Sequence, residues 1–375
     1  MSTNPKGRSW LDVRADALLA NLARLRSALD PEVRVLPMVK ADAYGVGMPG
    51  VVETLRTAGV WGFGVATVEE GLRLRQLGVE GPVVVLSPSP YAEIDAAVEG
   101  GLALSVGSLD ALREVAAAAE RSGRVADVHL DVDTGMGRSG VDWRQGAAWL
   151  DRFRSAATGS VRWAGIFTHL HSAEDDAESV QRQAERFGAW TAEIEPHVLR
   201  HMLNSAGVLH APESAGDLVR PGIFLYGGRC GSDVPAPDPV VSLRARVVHV
   251  RDAVPGTTVG YGATYTAARG ERWATLSIGY GDGLPRALGN RGHALIGGRR
   301  AAIMGRISMD VTVVNITGMH GVGVGDVATL IGRDGAEEIT LDEVAEGAGT
   351  ISYEVLTGFT TRLPRVWEGK GKDGS

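Results

Sequence analysis

The chain has 375 residues, of which 44% are hydrophobic and 22% charged, and its formal net charge is −7. This length predicts two domains or one barrel with an addition, and the negative charge argues against a nucleic-acid partner. The only cysteine is Cys230, which excludes a disulfide framework and favours a reducing cytoplasm. No apolar run has the length of a membrane span, and residues 1–9 lack the apolar core of a signal sequence.

From residue 11 to residue 225, short apolar runs alternate with helical periodicity, and Asp16 is predicted to cap the first helix. The predicted helices cover residues 11–29, 51–58, 68–77, 91–99, 109–119, 143–153, 178–194 and 206–210. The predicted strands cover residues 33–39, 61–66, 82–86, 102–106, 125–132, 161–168, 198–203 and 218–220. Eight strands alternating with helices favour a closed parallel barrel over an open doubly wound sheet.

After residue 225, prolines at positions 235, 237 and 239 mark a linker. Short alternating runs then predict strands at residues 240–250, 273–278, 294–296, 301–304, 310–314 and 327–330, and a helix at 340–348. We therefore expect an α/β protein with a (β/α)8 TIM-type barrel over residues 12–238 and a mainly β domain over residues 239–368. Residues 1–11 are a candidate for packing against the β domain, and residues 369–375 are expected to form a flexible tail.

The most distinctive stretch is residues 39–47, Val-Lys-Ala-Asp-Ala-Tyr-Gly-Val-Gly, at the end of the first predicted barrel strand. A parallel barrel carries its chemistry at this end of its strands, and a desolvated lysine there can form a Schiff base with an aldehyde. A lone Lys40 would more often be an exposed residue closing a strand. The whole run, however, closely resembles the cofactor-lysine motif of the bacterial alanine racemases, which are pyridoxal-phosphate enzymes built from a barrel and a β domain.

Further stretches resemble the same family in the same order along the chain. They are residues 131–140, 167–171, 201–207, 219–227, 259–265, 305–310 and 351–354. The resemblance implies pyridoxal phosphate as the cofactor, with Lys40 as its covalent attachment. It assigns further cofactor contacts to Tyr44, His169, Asn204, Ser205, Arg220, Gly222 and Tyr353. A helix start at residue 205, on the active face of the barrel, would favour a phosphate.

Arg220 is the strongest indication of the type of reaction. The resemblance places it against the pyridine nitrogen, with His201 as its support. Because an arginine does not give up its proton easily, the ring nitrogen would stay unprotonated and the ring would be a weaker electron sink. That environment suits a racemase, whereas a carboxylate at this place would better suit a decarboxylase or an aminotransferase.

Arg138 can offer a planar fork to a carboxylate, and the resemblance assigns it to the carboxylate of the substrate. Many family members carry a carbamylated lysine at the position of Asp131, whose negative charge pairs with this arginine. We expect Asp131 to supply that charge directly and to orient Arg138. His169 and His171 lie two residues apart on a strand and point to opposite faces, so no metal site is predicted.

The β domain contributes the second half of the expected chemistry. The resemblance makes Tyr261 the base on the opposite face of the substrate from Lys40, although a phenol that titrates near ~10 needs neighbours to act at neutral pH. The backbone N–H of Met309 would meet the substrate carboxylate, with Asp310 in a supporting role. In the family, Tyr261 and Met309 reach the barrel site from the partner subunit, which implies a homodimer with shared active sites.

These assignments imply interconversion of L-alanine and D-alanine by two-base proton transfer at Cα, supplying D-alanine for peptidoglycan. Alanine is then the small-molecule partner, and neither nucleic acid nor a membrane is expected. One alternative is a pyridoxal-phosphate enzyme of broader specificity: a racemase acting on serine or other amino acids, or a decarboxylase. Another alternative is a cofactor-carrier protein without turnover, although such proteins typically lack a β domain like the one that bears Tyr261.

Overall fold

The computed structural model describes residues 7–157 and 159–368, and the predicted tail at residues 369–375 lies outside the described residues. Up to residue 238 the strands are β1 (Ser9–Arg14), β2 (Arg34–Val35), β3 (Phe63–Val65), β4 (Val83–Val85), β5 (Ala103–Val106), β6 (Ala126–Asp133), β7 (Val141–Asp142), β8 (Val161–Phe167), β9 (Leu199–His201) and β10 (Leu218–Val219). The helices of this part are α1 (Ala15–Ser27), α2 (Lys40–Tyr44), α3 (Met48–Arg56), α4 (Val68–Gln76), α5 (Ile94–Glu99), α6 (Leu109–Ser122), α7 (Gly146–Ala156), α8 (Ala177–Thr191) and α9 (Ser205–His210).

Eight of these strands form a parallel ring. Pairing runs in the order β3-β4-β5-β6-β8-β9, while β2 pairs with β10 and the short β7 pairs with β6. Individual backbone bonds close the ring, because Trp61 N–H donates to the Val35 carbonyl at 3.0 Å and Asp217 N–H donates to the Arg200 carbonyl at 2.8 Å. The predicted (β/α)8 barrel is therefore confirmed.

Burial and helix capping explain why this sequence adopts the barrel. The strands β4 and β5 are buried along their length because the barrel interior covers one face and helices cover the other. Helix α6 illustrates the local signals: the Ser108 side chain accepts a bond from Ala111 N–H at its start, and Gly123 ends it in the left-handed conformation. The buried face of α6 includes Leu112 and Val115.

Beyond residue 238 the strands are β11 (Val241–Ala253), β12 (Thr258–Val259), β13 (Tyr265–Thr266), β14 (Glu271–Leu276), β15 (His293–Ile296), β16 (Arg299–Met304), β17 (Thr312–Asn315), β18 (Val327–Asp334), β19 (Glu337–Ile339) and β20 (Arg365–Glu368). The helices there are α10 (Leu341–Ala348) and α11 (Ser352–Thr357). The larger sheet runs β19-β18-β15-β16-β17-β14-β11-β1-β20, and it curls on itself because β11 also pairs with β18. The mainly β architecture expected for this part of the chain is thereby confirmed.

The structure corrects several predicted elements. The helix predicted from residue 11 begins at Ala15, because residues 9–14 form β1, which pairs with β11 and β20 of the second sheet. Arg14 occupies the N-cap position, and Asp16 instead accepts a bond from the Arg14 side chain at 2.7 Å. The first barrel strand is only Arg34–Val35, and Pro37 lacks the N–H that would extend a strand ladder. No helix among the described residues is both long and apolar enough to cross a bilayer.

Candidate active site

A cavity of about 150 Å³ opens at the carboxyl ends of the barrel strands. Its walls come from the ends of β2, β3, β4, β6, β8, β9 and β10 and the segments that follow them, together with α11. The predicted site residues that line it are Lys40, Tyr44, Arg138, His169, Asn204, Ser205, Arg220, Gly222 and Tyr353. Predicted residues from six separate sequence stretches therefore meet in one place. The apolar part of the wall consists of Met38, Val65, Ala66, Leu86, Phe167 and Ile223.

The charge of the cavity favours an anionic ligand. Lys40, Arg138 and Arg220 all line it, and none of the described residues in its wall is an aspartate or a glutamate. Burial and the neighbouring arginines lower the pKa of Lys40, although the carboxylate of Glu70 acts in the opposite direction. At a given pH a larger fraction of this amine is therefore neutral and able to act as a nucleophile or base.

Lys40 is held in place by an unusual backbone turn. The four residues after it, Ala41–Tyr44, have φ values of 52° to 56°, which is left-handed helical geometry. Such geometry costs about 1–2 kcal/mol per non-glycine residue, so other contacts must hold the turn. Gly45 N–H donates to the Ala41 carbonyl at 2.8 Å, and Arg365 donates to the Gly45 carbonyl at 2.7 Å.

Glu70 connects this turn to the start of α4. One carboxylate oxygen accepts bonds from the backbone N–H groups of Ala66 (2.9 Å) and Thr67 (3.2 Å), completing a capping box with Thr67. The other oxygen accepts a bond from the N–H of Ala41 at 2.6 Å, one residue after Lys40. A single carboxylate thus fixes both the helix start and the backbone that carries the cavity lysine.

Arg220 is buried, and its guanidinium is surrounded by acceptors. It donates to Nδ1 of His201 at 2.8 Å, to the Thr168 carbonyl at 2.8 Å and to the Met202 carbonyl at 3.3 Å. Burial lowers its pKa to about 10, which leaves it protonated at neutral pH. The central carbon of the guanidinium also lies 5.3 Å from the centroid of the Phe167 ring. This cation–π contact adds to the hydrogen bonds that hold the guanidinium in one orientation.

His169 is held uncharged by its buried, positively charged surroundings. Burial, reinforced by Arg220, Arg138 and Lys40, lowers the pKa of His169 to about 3, so this imidazole is neutral at physiological pH. Nη2 of Arg220 approaches its Nδ1 at 3.4 Å. Within residues 7–157 and 159–368, no group of three or more His, Cys, Asp or Glu side chains is arranged to hold a metal ion.

A set of hydrogen-bond donors lies at the other end of the cavity. The hydroxyl of Ser205 accepts bonds from the N–H groups of Gly222 at 2.8 Å and Phe224 at 3.4 Å, and it can direct its own proton outward. A Cβ at Gly222 would collide with the hydroxyl of Tyr44, so only glycine allows this close approach. Asn204 caps α9 by accepting a bond from Gly207 N–H at 2.9 Å.

Aromatic rings support this donor end. The Tyr44 ring stacks on Tyr226 with centroids 4.8 Å apart, and Tyr226 donates its own proton to the Met38 carbonyl at 2.7 Å. The Tyr353 ring lies 6.1 Å from Tyr44, and its hydroxyl donates to Glu174 at 3.2 Å. Burial raises the pKa of both Tyr44 and Tyr353, so these phenols keep their protons and can serve as donors.

The expected ion pair between Asp131 and Arg138 does not form. Ser139 donates to the Asp131 carboxylate at 2.8 Å, whereas no ion pair joins Asp131 to Arg138 in the described part of the chain. The prediction of direct pairing was wrong, because the short aspartate side chain is engaged by the nearer hydroxyl. Burial nevertheless raises the pKa of Asp131 to about 6, although Arg220 and Arg138 act to lower it.

Three predicted residues of the β domain lie away from the cavity wall. Tyr261 is 70% exposed and Met309 is 51% exposed, and neither lines the cavity. Tyr261 starts a short turn in the hairpin between β12 and β13, where Gly260 and Gly262 have positive φ. Asp310 is also exposed and accepts a bond from Arg362 at 2.6 Å. A single chain therefore assembles only the barrel side of the expected site.

The sequence interpretation missed several residues that shape the site. The role of Glu70 was not predicted, because a Thr-x-x-Glu capping box does not indicate a second hydrogen bond to the distant backbone N–H of Ala41. Tyr226 lies within the recognised stretch of residues 219–227, but its role as a support for Tyr44 needed the structure. Phe167 was likewise recognised only as the first residue of a motif, and the structure shows that its ring packs against the guanidinium of Arg220.

The comparisons with known proteins agree with one another along the whole chain. The family model for alanine racemase, N-terminal domain, matches residues 13–230, and that for alanine racemase, C-terminal domain, matches residues 240–367. An alanine racemase from Desulfosudis oleivorans is 36% identical, with 96% of each chain covered. The structure of alanine racemase from Clostridium difficile 630 matches with a TM-score of 0.91 at 29% identity, covering 96% of each chain. Alanine racemase from Bacillus anthracis with bound L-Ala-P matches with a TM-score of 0.89 at 30% identity, covering 97% of this chain and 96% of that one.

Proposed function

The chain belongs to the alanine racemase family and is an isomerase that interconverts L-alanine and D-alanine, and from this premise we propose how its residues perform the reaction. The observation that carries the proposal is the convergence of Lys40 and Arg220 on one positively charged cavity. Both come from stretches that the sequence singled out. Chemistry at Cα needs a group that moves a proton and a group that holds the cofactor, and this cavity offers both.

We propose pyridoxal phosphate as the cofactor, and the donor set of the cavity fits it. The Ser205 hydroxyl and the Tyr44 phenol would hold the phosphate, while apolar side chains such as Val65 would flank the ring. Gly222 N–H and the Tyr353 phenol would join them by turning from their present acceptors, Ser205 and Glu174. The carboxylate-free wall suits a phosphate ester, because no like charge would repel it. When bound, the cofactor would draw electrons from Cα of alanine and make its hydrogen acidic.

Lys40 has two tasks in this proposal. Its depressed pKa favours the neutral amine, which is the form that attaches covalently to an aldehyde. When it is not attached to the cofactor, the same amine would remove or return the Cα proton of alanine on one face. The left-handed turn and Glu70 keep this amine at the cavity through both tasks.

Arg220 sets the electronic character of the site. Its pKa of about 10 still leaves it charged at neutral pH, and its N–H groups already donate to His201 and to two carbonyls. Arg220 would donate a hydrogen bond, but not a proton, to a cofactor ring nitrogen. That limits charge delocalisation and favours rapid return of the Cα proton, which suits racemisation better than decarboxylation.

Arg138 and Tyr353 define where the substrate binds. Arg138 lines the cavity near its open side and can hold the carboxylate of alanine with its guanidinium fork. The Tyr353 ring narrows the space beside it, which suits a methyl side chain. A comparison of racemisation rates for alanine, serine and lysine measures how far this restriction extends.

We further propose that the active enzyme is a homodimer whose sites are shared between subunits. An open groove of about 1030 Å³ adjoins the cavity and shares Arg138, His169, Asn204 and Tyr353 with it. Tyr261 and Met309 of a second copy would enter there, where Tyr261 serves the face of Cα opposite Lys40 and the Met309 N–H meets the substrate carboxylate. The exposure of both apolar side chains on a single chain supports this arrangement.

The proposed cellular role is D-alanine supply for peptidoglycan, in the cytoplasm. Cys230 is the only cysteine, and it is buried and unpaired, which agrees with a reducing compartment. Burial raises the pKa of its thiol, so it is a poor nucleophile and has no part in the proposed chemistry.

Only four side chains are candidates for the covalent attachment of the cofactor, because the chain has four lysines: Lys6, Lys40, Lys370 and Lys372. Borohydride reduction of the holoenzyme followed by peptide mass spectrometry should find the pyridoxyl group on Lys40. Lys40→Ala should abolish racemisation in both directions, since it removes both the attachment and one base.

The matched control replaces Lys6, Lys370 and Lys372 by arginine, and this triple variant should keep wild-type activity. Trapping of the cofactor on any of these three lysines would contradict the proposal. So would retention of racemisation by Lys40→Ala with a folded chain, as judged by circular dichroism.

A further inference from the structure

Behind Arg220, two buried histidines continue its hydrogen bond through the barrel. Nδ1 of His201 lies 2.8 Å from the Arg220 guanidinium, and Nε2 of the same ring lies 2.8 Å from Nδ1 of His129. His129 is on β6 and His201 on β9, and both side chains are almost fully buried. Two hydrogen bonds in series thus connect Arg220, His201 and His129, and we call this set of three residues the histidine relay.

The positions of the protons in the relay follow from the donor properties of its members. An arginine can only donate, so Nδ1 of His201 must be an unprotonated acceptor. Burial lowers the pKa of His201 well below its ordinary value, and a neutral His201 then carries its proton on Nε2. That proton points to Nδ1 of His129, which must accept. Burial also lowers the pKa of His129 to about 4, so its remaining proton is on Nε2.

The barrel makes specific room for this arrangement. Gly165 on β8 faces the His129 ring, and a Cβ there would collide with Nδ1, the atom that accepts the bond. The β6–β8 pairing shifts its register between Val128 and His129, so that His129 pairs with Gly165. The Phe167 ring stacks on His201 at 5.2 Å with only 14° between the planes, which fixes the second member of the relay.

The relay ends at the opposite side of the barrel from the active-site cavity. Nε2 of His129 is buried, and no atom of the described residues accepts its proton. His129 lines a second cavity of about 520 Å³ at the amino ends of the strands, together with Arg34, Trp61 and His197. Nε2 itself has almost no surface open to a water molecule, so the relay ends at a buried N–H group behind this cavity.

We propose that His129 is a positioning residue for the racemase reaction: it holds His201 in the Nε2–H tautomer that accepts the bond from Arg220. Donation from His201 to His129 makes Nδ1 of His201 a stronger acceptor, because hydrogen bonds in a chain polarise one another. The guanidinium is then anchored from behind, and its free N–H groups stay aimed at the active-site cavity. The kinetic part of this inference rests on the proposed role of Arg220, but the tautomer assignment does not.

Nitrogen-15 NMR of the holoenzyme labelled at histidine tests the tautomers without reference to activity. Wild-type His129 and His201 should each show an unprotonated Nδ1 and a protonated Nε2, with the signals assigned by their loss in single variants. His129→Leu removes the acceptor, so His201 should no longer be confined to this tautomer. His129→Gln keeps an acceptor and a donor, and it should restore the wild-type His201 signals.

The kinetic arm uses the same variants. His129→Leu should lower kcat about tenfold, the equivalent of one buried hydrogen bond, with little change in KM for alanine. His129→Gln should recover most of the loss. His197→Gln, which changes another histidine of the same cavity outside the relay, should behave as wild type.

A protonated Nδ1 on wild-type His201 would overturn the inference whatever the activity of the enzyme. It would equally be overturned if His129→Leu left both the His201 signals and kcat as in wild type. If His129→Leu does not fold, the wild-type spectrum alone decides the proton positions. A correct tautomer pattern together with cofactor trapping away from Lys40 would retain the relay and reject the proposed function.

Discussion

The side chains that the barrel and the β domain contribute to the proposed active site differ in burial and in hydrogen bonding. On the barrel side, Arg220 and Ser205 are buried and hydrogen-bonded, and the backbone after Lys40 is fixed by Glu70. On the β-domain side, Tyr261 and Met309 are exposed side chains that do not line the cavity of their own chain. One side is preorganised by folding, whereas the other lies outside the cavity of its own chain and would be supplied by a second copy in the proposed homodimer.

This difference teaches how the work of catalysis is divided. The cofactor needs a rigid set of donors, and the barrel provides it at the ends of strands that pack from both sides. In the proposed two-base mechanism, the second proton-transfer group would approach from the opposite face of Cα. Variants on the two sides should accordingly fail in different ways.

The largest effect among the remaining variants is expected on the β-domain side. Tyr261→Phe removes one proton-transfer group, and racemisation should fall by about 10²–10⁴-fold. Because the barrel side stays intact, the holoenzyme should still bind cofactor on Lys40. Exchange of the Cα hydrogen in deuterated solvent should survive for one enantiomer of alanine and be strongly reduced for the other.

The control is Tyr91→Phe, which changes a 55% exposed tyrosine in the segment before α5, outside the cavity wall. It should leave racemisation and exchange unchanged. Equal loss of exchange for both enantiomers in Tyr261→Phe would argue that this phenol does not serve a single face.

A smaller effect should follow from loosening the barrel side at Glu70. Glu70→Gln removes a negative charge that raises the pKa of Lys40, so this pKa should fall further, and activity should drop about tenfold with the loss of a charged hydrogen bond. The pH dependence of reductive methylation of Lys40 in the cofactor-free chain reports the shift directly.

Glu69→Gln is the matched control, because it changes the neighbouring glutamate in the first turn of the same helix. It should leave the Lys40 labelling profile in place. An unchanged profile in Glu70→Gln would remove Glu70 from the description of the site.

Asp131→Asn should change activity least, and its effect should appear in stability. The pKa of Asp131 is raised from 3.8 to about 6 by burial, so the folded chain binds more protons than the unfolded chain between these values. The contribution of Asp131 to the free energy of unfolding should therefore fall by about 2–3 kcal/mol as pH rises from about 4 to 6. This contribution is the difference between the wild type and the variant, because the buried histidines change the stability of both proteins with pH in the same way. Asparagine cannot ionise, and the variant should lack this loss.

Urea unfolding curves for both proteins at pH 4 and pH 7 measure the difference. The variant should gain stability relative to the wild type only at the higher pH, so the acid measurement is the internal control. A constant difference between the two proteins at both pH values would show that burial does not perturb this carboxyl.

Much of the fold could be predicted because its signals are local. Apolar runs followed by Gly-rich loops located all eight barrel strands, and Thr340 marked the start of α10. Residues 9–14 were assigned to a helix because their apolar residues also fit helical spacing, and only pairing with β11 and β20 makes them a strand. The left-handed turn at Ala41–Tyr44 was beyond sequence reasoning, since alanine and tyrosine do not favour positive φ.

The same limit applies to the site. Residues such as Lys40 and Arg220 were found because specific stretches surround them, and they do line one cavity. Hydrogen bonds between residues that are distant along the chain could not be predicted from the sequence. Examples are the bond from Ala41 N–H to Glu70 and the bond between His201 and His129. The predicted Asp131–Arg138 pair failed for a related reason, because sequence proximity could not show that Ser139 would engage the carboxylate first.

The shared site is tested most directly by co-expressing Lys40→Ala and Tyr261→Phe chains with different purification tags and isolating the mixed dimer. If Tyr261 acts on the partner's barrel, one of the two sites in this dimer carries both native groups, and the other carries neither. The mixed dimer should then regain about half of the wild-type activity, although each parent dimer is nearly inactive. A mixed dimer as inactive as its parents would contradict the account, because it would mean that both groups act within one chain.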